Sequence, residues 1–226
     1  VQAAGERVPG LRRDDVRLSM PQALVTALGA DLTSVKCKGR WVAVGVSVDA
    51  VAGTALTVDI LKDEEATTLT SWVHEIAEVV GAEVLVSDDA DGFKIAADEN
   101  GLSHQVCKSH VLRNTQAWVN QVQAQLLENA DSSLQAIGVT PEQALADCAE
   151  LLRLIQERQP GVEANARLEE IHRRYVRAPS PRELNAPQAT LAYRLRLFTL
   201  DRWNLWRYLT LYRHWQGSDH ATLDGT

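Results

Sequence analysis

The chain has 226 residues, of which 45% are hydrophobic and 23% charged, a balance that excludes an intrinsically disordered protein. No apolar run approaches the roughly 20 residues that cross a bilayer, so we expect no membrane partner. Three cysteines (Cys37, Cys107 and Cys148) are too few to form a disulfide framework, and they indicate a reducing compartment. The chain starts at Val1 without a methionine and stops at Thr226, and we expect it to be a piece of a longer protein.

Charge is divided unevenly along the chain. The net charge of -7 argues against a simple nucleic-acid binder. Residues 1–150 carry 11 Lys and Arg against 22 Asp and Glu, whereas residues 151–226 carry 12 Arg against eight acids. The acidic part fits either a cation-binding face or solvated surface. The arginine-rich part fits either phosphate contact or an ordinary solvated helix face.

Three strands open the predicted fold, after a lead-in over residues 1–19. Strands are predicted over residues 27–36, 40–49 and 54–61, because they are rich in β-branched residues and separated by short turns, the second of them at Gly53. Three consecutive strands with short turns form an antiparallel meander.

Helices and strands alternate over the next fifty residues. Apolar residues at helical spacing, from Leu69 to Val80 and including Val79, predict a helix that Gly81 ends. A buried parallel strand over residues 83–86, a helix over 92–99 and a strand over 104–107 follow. The order β-β-β-α-β-α-β predicts an α/β fold, a mixed sheet flanked by helices.

The rest of the chain is predicted to be helical. Apolar stripes indicate helices over residues 109–129, 141–159, 162–177 and 189–215. Thr140 followed by Pro141 is a helix start, with a hydroxyl N-cap and a proline in the first turn. We therefore expect an all-α region after the sheet.

Two aspartates are the candidate ligands of a metal ion. Asp88 directly follows a buried strand, so we expect its carboxylate at the carboxyl edge of the sheet. Asp31 lies on the first strand among small and apolar neighbours, where an unpaired carboxylate would be costly. Asp49, which also fits a turn, and Asp59, which also fits a solvated edge, are its rivals. Carboxylates on adjacent strands form a hard oxygen site suited to Mg²⁺ or Mn²⁺.

Three segments together resemble the catalytic region of DDE-type transposases of bacterial insertion sequences. Residues 31–41 (DLTSVKCKGRW) resemble the family's opening segment, with an Asp-x-Thr before a short basic strand, a glycine and an aromatic residue. Residues 84–93 (VLVSDDADGF) resemble its second-acid segment. Residues 104–114 (HQVCKSHVLRN) resemble the Cys-x-x-His…Arg-Asn segment of members with a helical insertion, including Mutator-like relatives.

The resemblance implies an RNase H-like catalytic core over residues 20–130 and a helical insertion over residues 131–226. It implies Asp31 and Asp88 as the first two acids of an Asp-Asp-Glu triad, holding Mg²⁺ or Mn²⁺. No Glu follows Glu183, so we expect the chain to end before the third acid. Such an enzyme cleaves DNA and transfers the freed strand by metal-assisted transesterification. Supporting roles at the active site would fall to Asp89, Cys107, His110 and Arg113.

Partners follow from the same resemblance. DNA would be the substrate, as transposon ends and target, in a complex with further copies of the chain, within a bacterial cytoplasm. Candidate DNA contacts are basic residues of two segments: Lys36, Lys38, Arg40, Arg173, Arg174 and Arg177.

Two other functions are alternatives to a transposase, and zinc is an alternative metal. A different RNase H-like nuclease or resolvase, and a non-catalytic helical interaction protein, are the alternative functions. Zinc is not expected, since the Cys107 and His110 pair has no second close pair among Cys37, Cys148, His104 and His172.

Overall fold

The computed structural model describes residues 25–128, 132–157 and 163–209, which form five strands and seven helices. The strands are β1 (Ala27–Cys37), β2 (Arg40–Asp49), β3 (Thr54–Leu61), β4 (Val84–Ser87) and β5 (Ser103–Val106). The helices are α1 (Ala66–Val80), α2 (Asp91–Glu99), α3 (Lys108–Leu127), α4 (Ser133–Ala136), α5 (Pro141–Gln156), α6 (Ala164–Tyr175) and α7 (Leu191–Leu209).

The five strands form one mixed sheet in the order β3-β2-β1-β4-β5. The meander is antiparallel, β1 with β2 and β2 with β3, whereas β4 pairs parallel to β1 and β5 parallel to β4. The α/β class, the mixed sheet and the order β-β-β-α-β-α-β are therefore confirmed. β3 is an edge strand, and its Val58 and Ile60 are 57% and 78% exposed.

Two tight turns close the meander where the sequence places them. Between β1 and β2, Lys38 and Gly39 both have positive φ, 48° and 82°, which gives a two-residue hairpin turn matched to the twist of the strands. Between β2 and β3, Gly53 adopts φ 68°. The carboxylate of Asp49 accepts hydrogen bonds from the backbone N–H groups of Val51 and Ala52.

Helix α1 covers one face of the sheet and supplies most of the core there. Leu69, Trp72, Val73 and Ile76 are buried against it. The indole of Trp72 lies on β2 at Gly45, where an added Cβ would come within 2.7 Å of Trp72 Cζ2. Its Nε1 donates a hydrogen bond to Asp59 Oδ2 across 2.8 Å. The absence of a side chain at Gly45 therefore lets a tryptophan reach across two strands.

Some sequence predictions about the helices were wrong in detail. Val79 was placed on the buried face of α1 but is 40% exposed, and Ala77 is buried instead. With 3.6 residues per turn the buried face centres on Val73 and Val80, from which Ala77 lies less far around the helix than Val79. The short helix α4 was missed. The part of the last predicted helix beyond Leu209 and the lead-in over residues 1–19 lie outside the described residues.

The chain divides into two compact units, residues 1–108 with 208–226, and residues 109–207. The second unit has its own core, in which Leu151, Leu168, Ile171 and Leu195 are buried. Helix α5 begins as predicted, because the Thr140 hydroxyl accepts the N–H of Gln143 at 3.2 Å. No helix within the described ranges is long and apolar enough to cross a membrane.

A buried carboxylate ties three helical residues together in this second unit. Asp147, on α5, is 3% exposed. It accepts hydrogen bonds from the hydroxyl of Tyr175 at 2.8 Å and the amide of Gln143 at 3.0 Å, and it is ion-paired with Arg174. Burial, with Asp147 nearby, raises the pKa of the Tyr175 phenol, so the phenol stays a donor to Asp147. The carboxylate thus joins α5 to α6.

Candidate metal-binding site at the carboxyl edge of the sheet

Asp31 and Asp88 share the register of the ladder between β1 and β4. The parallel ladder between β1 and β4 pairs Ala27 with Val84, Leu28 with Leu85 and Gly29 with Val86, a constant offset of 57 residues. Asp31 and Asp88 share that offset and follow the last pair by two residues each. Adjacent strands lie about 4.8 Å apart, so the register directs both residues to neighbouring positions at the carboxyl edge.

The two aspartates also belong to the same face of the sheet. Side chains alternate along a strand, and Leu28, Ala30 and Leu85 face the core under α1. Asp31 and Asp88 have the opposite parity, that of Ala27, Val84 and Val86, which pack together on the other face. If the register and the alternation continue for two residues beyond the ladder, the two carboxylates lie side by side on that face.

The expectation that Asp31 is a buried, costly carboxylate was wrong. Asp31 is exposed and Asp88 half-buried. The reason is that the β1–β4 ladder ends at Gly29 and Val86, so Asp31 lies beyond the part of β1 that is flanked on both sides. Exposure removes the desolvation penalty, and a hydrated cation can reach the carboxylate without a cavity.

Each carboxylate keeps an oxygen that no described group engages. Oδ1 of Asp31 accepts the N–H of Leu32 at 2.9 Å, and Oδ1 of Asp88 accepts the N–H of Ala90 at 3.0 Å. Within the described ranges no Lys, Arg or His forms an ion pair with either residue. Two unneutralised carboxylates with free oxygens suit Mg²⁺ or Mn²⁺. No group of three acidic, His or Cys side chains able to hold a metal is found among these residues.

The rival acids lie elsewhere. Asp49 pairs with Leu28, three residues before Asp31 on β1, and holds the β2–β3 turn. Asp59 pairs with Gly45 and is bonded to Trp72, which places it on the face under α1 rather than free at a solvated edge. Of the three meander acids, only Asp31 has the spacing and the parity that match Asp88 in the β1–β4 register.

Asp89 is separated from Asp88 by its own ion pair. Lys94 Nζ lies 2.8 Å from Asp89 Oδ1 and 3.2 Å from Asp91 Oδ1. The Lys94 ammonium group therefore neutralises Asp89 in the loop and Asp91 at the start of α2. This leaves Asp88 as the acid without a described cationic partner.

A buried polar pair supports the Asp88 position and was not found from the sequence. Ser87 and His104 are 2% and 7% exposed, and Ser87 Oγ lies 2.8 Å from His104 Nε2. The same hydroxyl donates to the carbonyl of Asp88 at 3.0 Å. Burial, and then the charge of Lys94, lowers the pKa of His104 to about 4, so the imidazole is neutral at pH 7. The only sequence signal was a serine at the end of one short strand and a histidine near the start of the next.

Cys107 lies beside Asp88 in the sheet. The ladder between β4 and β5 pairs Ser87 with Val106, so its continuation sets Cys107 opposite Asp88. The N–H of Cys107 donates to the carbonyl of Ser87 at 2.6 Å. In the second unit, His110 is half-buried in the first turn of α3, with no described partner for its buried Nδ1, and Arg113 is exposed.

The possible zinc ligands are dispersed. Cys37 is exposed in the β1–β2 hairpin, whereas Cys148 is buried in the core of the second unit. His172 is hydrogen-bonded through Nδ1 to the hydroxyl of Thr199 at 3.0 Å, and His104 to Ser87.

The candidate DNA contacts fall into two groups with different surroundings. Lys36, Lys38 and Arg40 are all exposed at the end of the β1–β2 hairpin. In the second unit, Arg173 pairs with Glu169 at 2.5 Å, and Arg174 pairs with Asp147 and with Glu170. Arg177 is exposed. The hairpin cations are thus the more accessible group.

Comparison with protein-family models and with curated proteins finds no match to this sequence.

Proposed function

We propose that the chain is part of the catalytic region of a DDE-type transposase with an RNase H-like core, in which Asp31 and Asp88 hold Mg²⁺ or Mn²⁺. The observation that supports the proposal is the register of the β1–β4 ladder, whose offset of 57 residues equals the spacing between Asp31 and Asp88. A meander followed by two parallel strands with intervening helices supports the RNase H-like fold. The three sequence segments described above support the family.

The chemistry proposed for the site needs what these residues offer. With a third acid, such carboxylates could hold two divalent ions, of which one would activate an attacking oxygen and the other would stabilise a leaving one during phosphodiester transfer. Asp31 and Asp88 would orient the ion, the hydroxyl of Ser87 fixes the backbone at Asp88, and Cys107 flanks it. The third acid of such a triad would come from outside the described residues. DNA ends and target would be the substrates, in a complex with further copies of the chain.

Metal binding by the chain itself is the first test. Mn²⁺ titration calorimetry on wild type, Asp31→Asn and Asp88→Asn should show binding weakened in both variants. Removal of a group that only supports a metal ligand lowers metal affinity by about 10- to 100-fold. Removal of a ligand itself should lower the Mn²⁺ affinity by at least this much. Asp91→Asn is the matched control, because that carboxylate is 91% exposed and already paired with Lys94. Equal Mn²⁺ affinity in all four proteins would overturn the metal site.

Strand transfer is the second test and separates the candidate functions. The full-length protein with Mg²⁺ should join a precut transposon end to a plasmid, and both Asn variants should abolish joining. DNA cleavage without joining would favour a nuclease or resolvase. Unchanged behaviour of Asp31→Ala and Asp88→Ala in every assay would favour a non-catalytic interaction protein.

A further inference from the structure

The β1–β2 hairpin extends beyond the sheet as a two-stranded ribbon. β4 pairs with β1 only as far as Gly29, and β3 pairs with β2 only from Ala43 onward. Residues 36–41 therefore pair only with each other, and every one of them is exposed. This segment is called the ribbon below. It projects from the carboxyl end of β1, the edge that carries Asp31 and Asp88.

The ribbon is the one basic segment in an acidic part of the chain. Residues 25–108 carry six Lys and Arg against 14 Asp and Glu, a net charge of -8. Three of the six cations lie in the ribbon, within a stretch of five residues: Lys36, Lys38 and Arg40. No acid occurs from residue 32 to residue 48. The ribbon thus carries three positive charges with no acidic residue close to them in the sequence, and such a charge distribution attracts a polyanion.

The strand register distributes these cations around the end of the ribbon. Lys36 pairs across the ribbon with Trp41, which is 70% exposed, and the two share one face. Arg40 pairs with Cys37, which has the parity of Asp31, so Arg40 lies on the face of the candidate metal site. Lys38 occupies the turn. The cations therefore point to both sides and to the end of the ribbon, and an exposed indole flanks one of them.

The dimensions fit duplex DNA that also reaches the metal site. Six residues separate Asp31 from Cys37, the partner of Arg40, which is about 20 Å at the rise of a strand. About 20 Å corresponds to about six base pairs of B-DNA. A two-stranded ribbon also fits the major groove, which is about 12 Å wide.

We infer that the ribbon binds the phosphate backbone of double-stranded DNA, about six base pairs from the phosphate that a metal ion at Asp31 and Asp88 would hold. Lys36, Lys38 and Arg40 each contact phosphate, and Trp41 packs on the sugar backbone beside Lys36. The distance rests on the proposed function of the acid pair, whereas the phosphate contacts do not. The ribbon would hold DNA without reading its sequence, because phosphate contacts carry no base information.

The test is the salt dependence of binding to a fluorescent duplex of about 30 base pairs, long enough to span the inferred contacts. Fluorescence anisotropy is followed from 50 to 200 mM salt in EDTA, so that metal binding does not enter. Each lost phosphate contact lowers the slope of log K against log salt by about 0.9. The triple variant Lys36→Gln, Lys38→Gln, Arg40→Gln should therefore lower the slope by about 2 to 3 relative to wild type.

Two controls make the outcome specific. Lys62→Gln removes a cation of the same unit whose ammonium lies 3.8 Å from Asp63 in an acidic turn, and it should keep the wild-type slope. The triple variant should also keep the wild-type affinity for Mn²⁺ in the calorimetric titration, so loss of the ribbon contacts is scored separately from loss of metal binding. A triple variant with the wild-type slope, or a wild-type chain that binds no duplex, overturns the inference. A wild-type slope in the triple variant would favour a protein as the partner of the ribbon and would not contradict the proposed metal site.

Discussion

Replacing Gly45 by alanine should destabilise the sheet unit through Trp72. The new Cβ would lie 2.7 Å from Trp72 Cζ2 and 2.9 Å from Cε2, so the indole must move. Overpacking of this kind costs about 1–3 kcal/mol. Movement of the ring also breaks the 2.8 Å hydrogen bond from Trp72 to Asp59. A buried hydrogen bond to a charged acceptor contributes about 1.5–3 kcal/mol. This one contributes less, because Asp59 is only half-buried. The gain from removing a strand glycine is about 0.5–1 kcal/mol. The net expected loss is about 2 kcal/mol.

A double-mutant cycle with Trp72→Phe isolates the cause. Phenylalanine lacks the outer indole atoms that the new Cβ would meet, so Gly45→Ala should cost close to nothing in that background. The assay is native-state hydrogen exchange of the β2 amides, which reports on the sheet unit alone. Gly39→Ala is the matched control: its φ of +82° costs about 1 kcal/mol in both backgrounds, with no atom near its Cβ. If Gly45→Ala costs the same with tryptophan and with phenylalanine at position 72, the packing argument is refuted.

The remaining predictions concern the two buried polar groups. The pKa of His104 falls from an ordinary 6.5 to about 4 in the folded chain, so on acidification the unfolded chain binds a proton first. The free energy of unfolding of the sheet unit should therefore decrease by about 3 kcal/mol as the pH falls from 6.5 to about 4. Hydrogen exchange of β5 at pH 7 and pH 4 should show this loss in wild type and a smaller one in His104→Gln; equal losses would contradict it. Asp147→Ala should cost about 3–5 kcal/mol in urea denaturation of the helical unit, since Arg174 and the Tyr175 hydroxyl lose a buried partner. A loss below 1 kcal/mol would show that the ion pair is solvated.

The meander could be predicted closely from the sequence because its signals are local. β2 and β3 begin and end where the pattern of β-branched residues and turns predicts, and β1 differs by one residue. The offset of 57 residues between Asp31 and Asp88 was visible too, but whether they meet depends on the β1–β4 register, which no local pattern encodes. The exposure of Asp31 was missed for the same reason. Its neighbours are apolar in sequence, yet the flanking strand ends two residues earlier.

The bonds made by side chains across the sheet were beyond the sequence. The pairing of Ser87 with His104 joins residues 17 apart, and that of Trp72 with Asp59 crosses from a helix to a strand. Each depends on one rotamer and one packing distance. Asp59 could therefore be placed on its strand but not assigned a partner. For Arg174, a helical arginine pattern predicts a solvated face, whereas the buried carboxylate of Asp147 draws it inward.

The short ladder between β1 and β4 has a consequence for the order of folding. The ribbon closes through a two-residue turn, and hairpins of this kind form in about 1–10 μs. The acid pair requires closure of a 57-residue loop onto three paired residues, and such non-local pairing is slow. During synthesis the ribbon is therefore complete before Asp88 has been added to the chain. We expect the nascent chain to acquire affinity for polyanions before it acquires affinity for divalent cations.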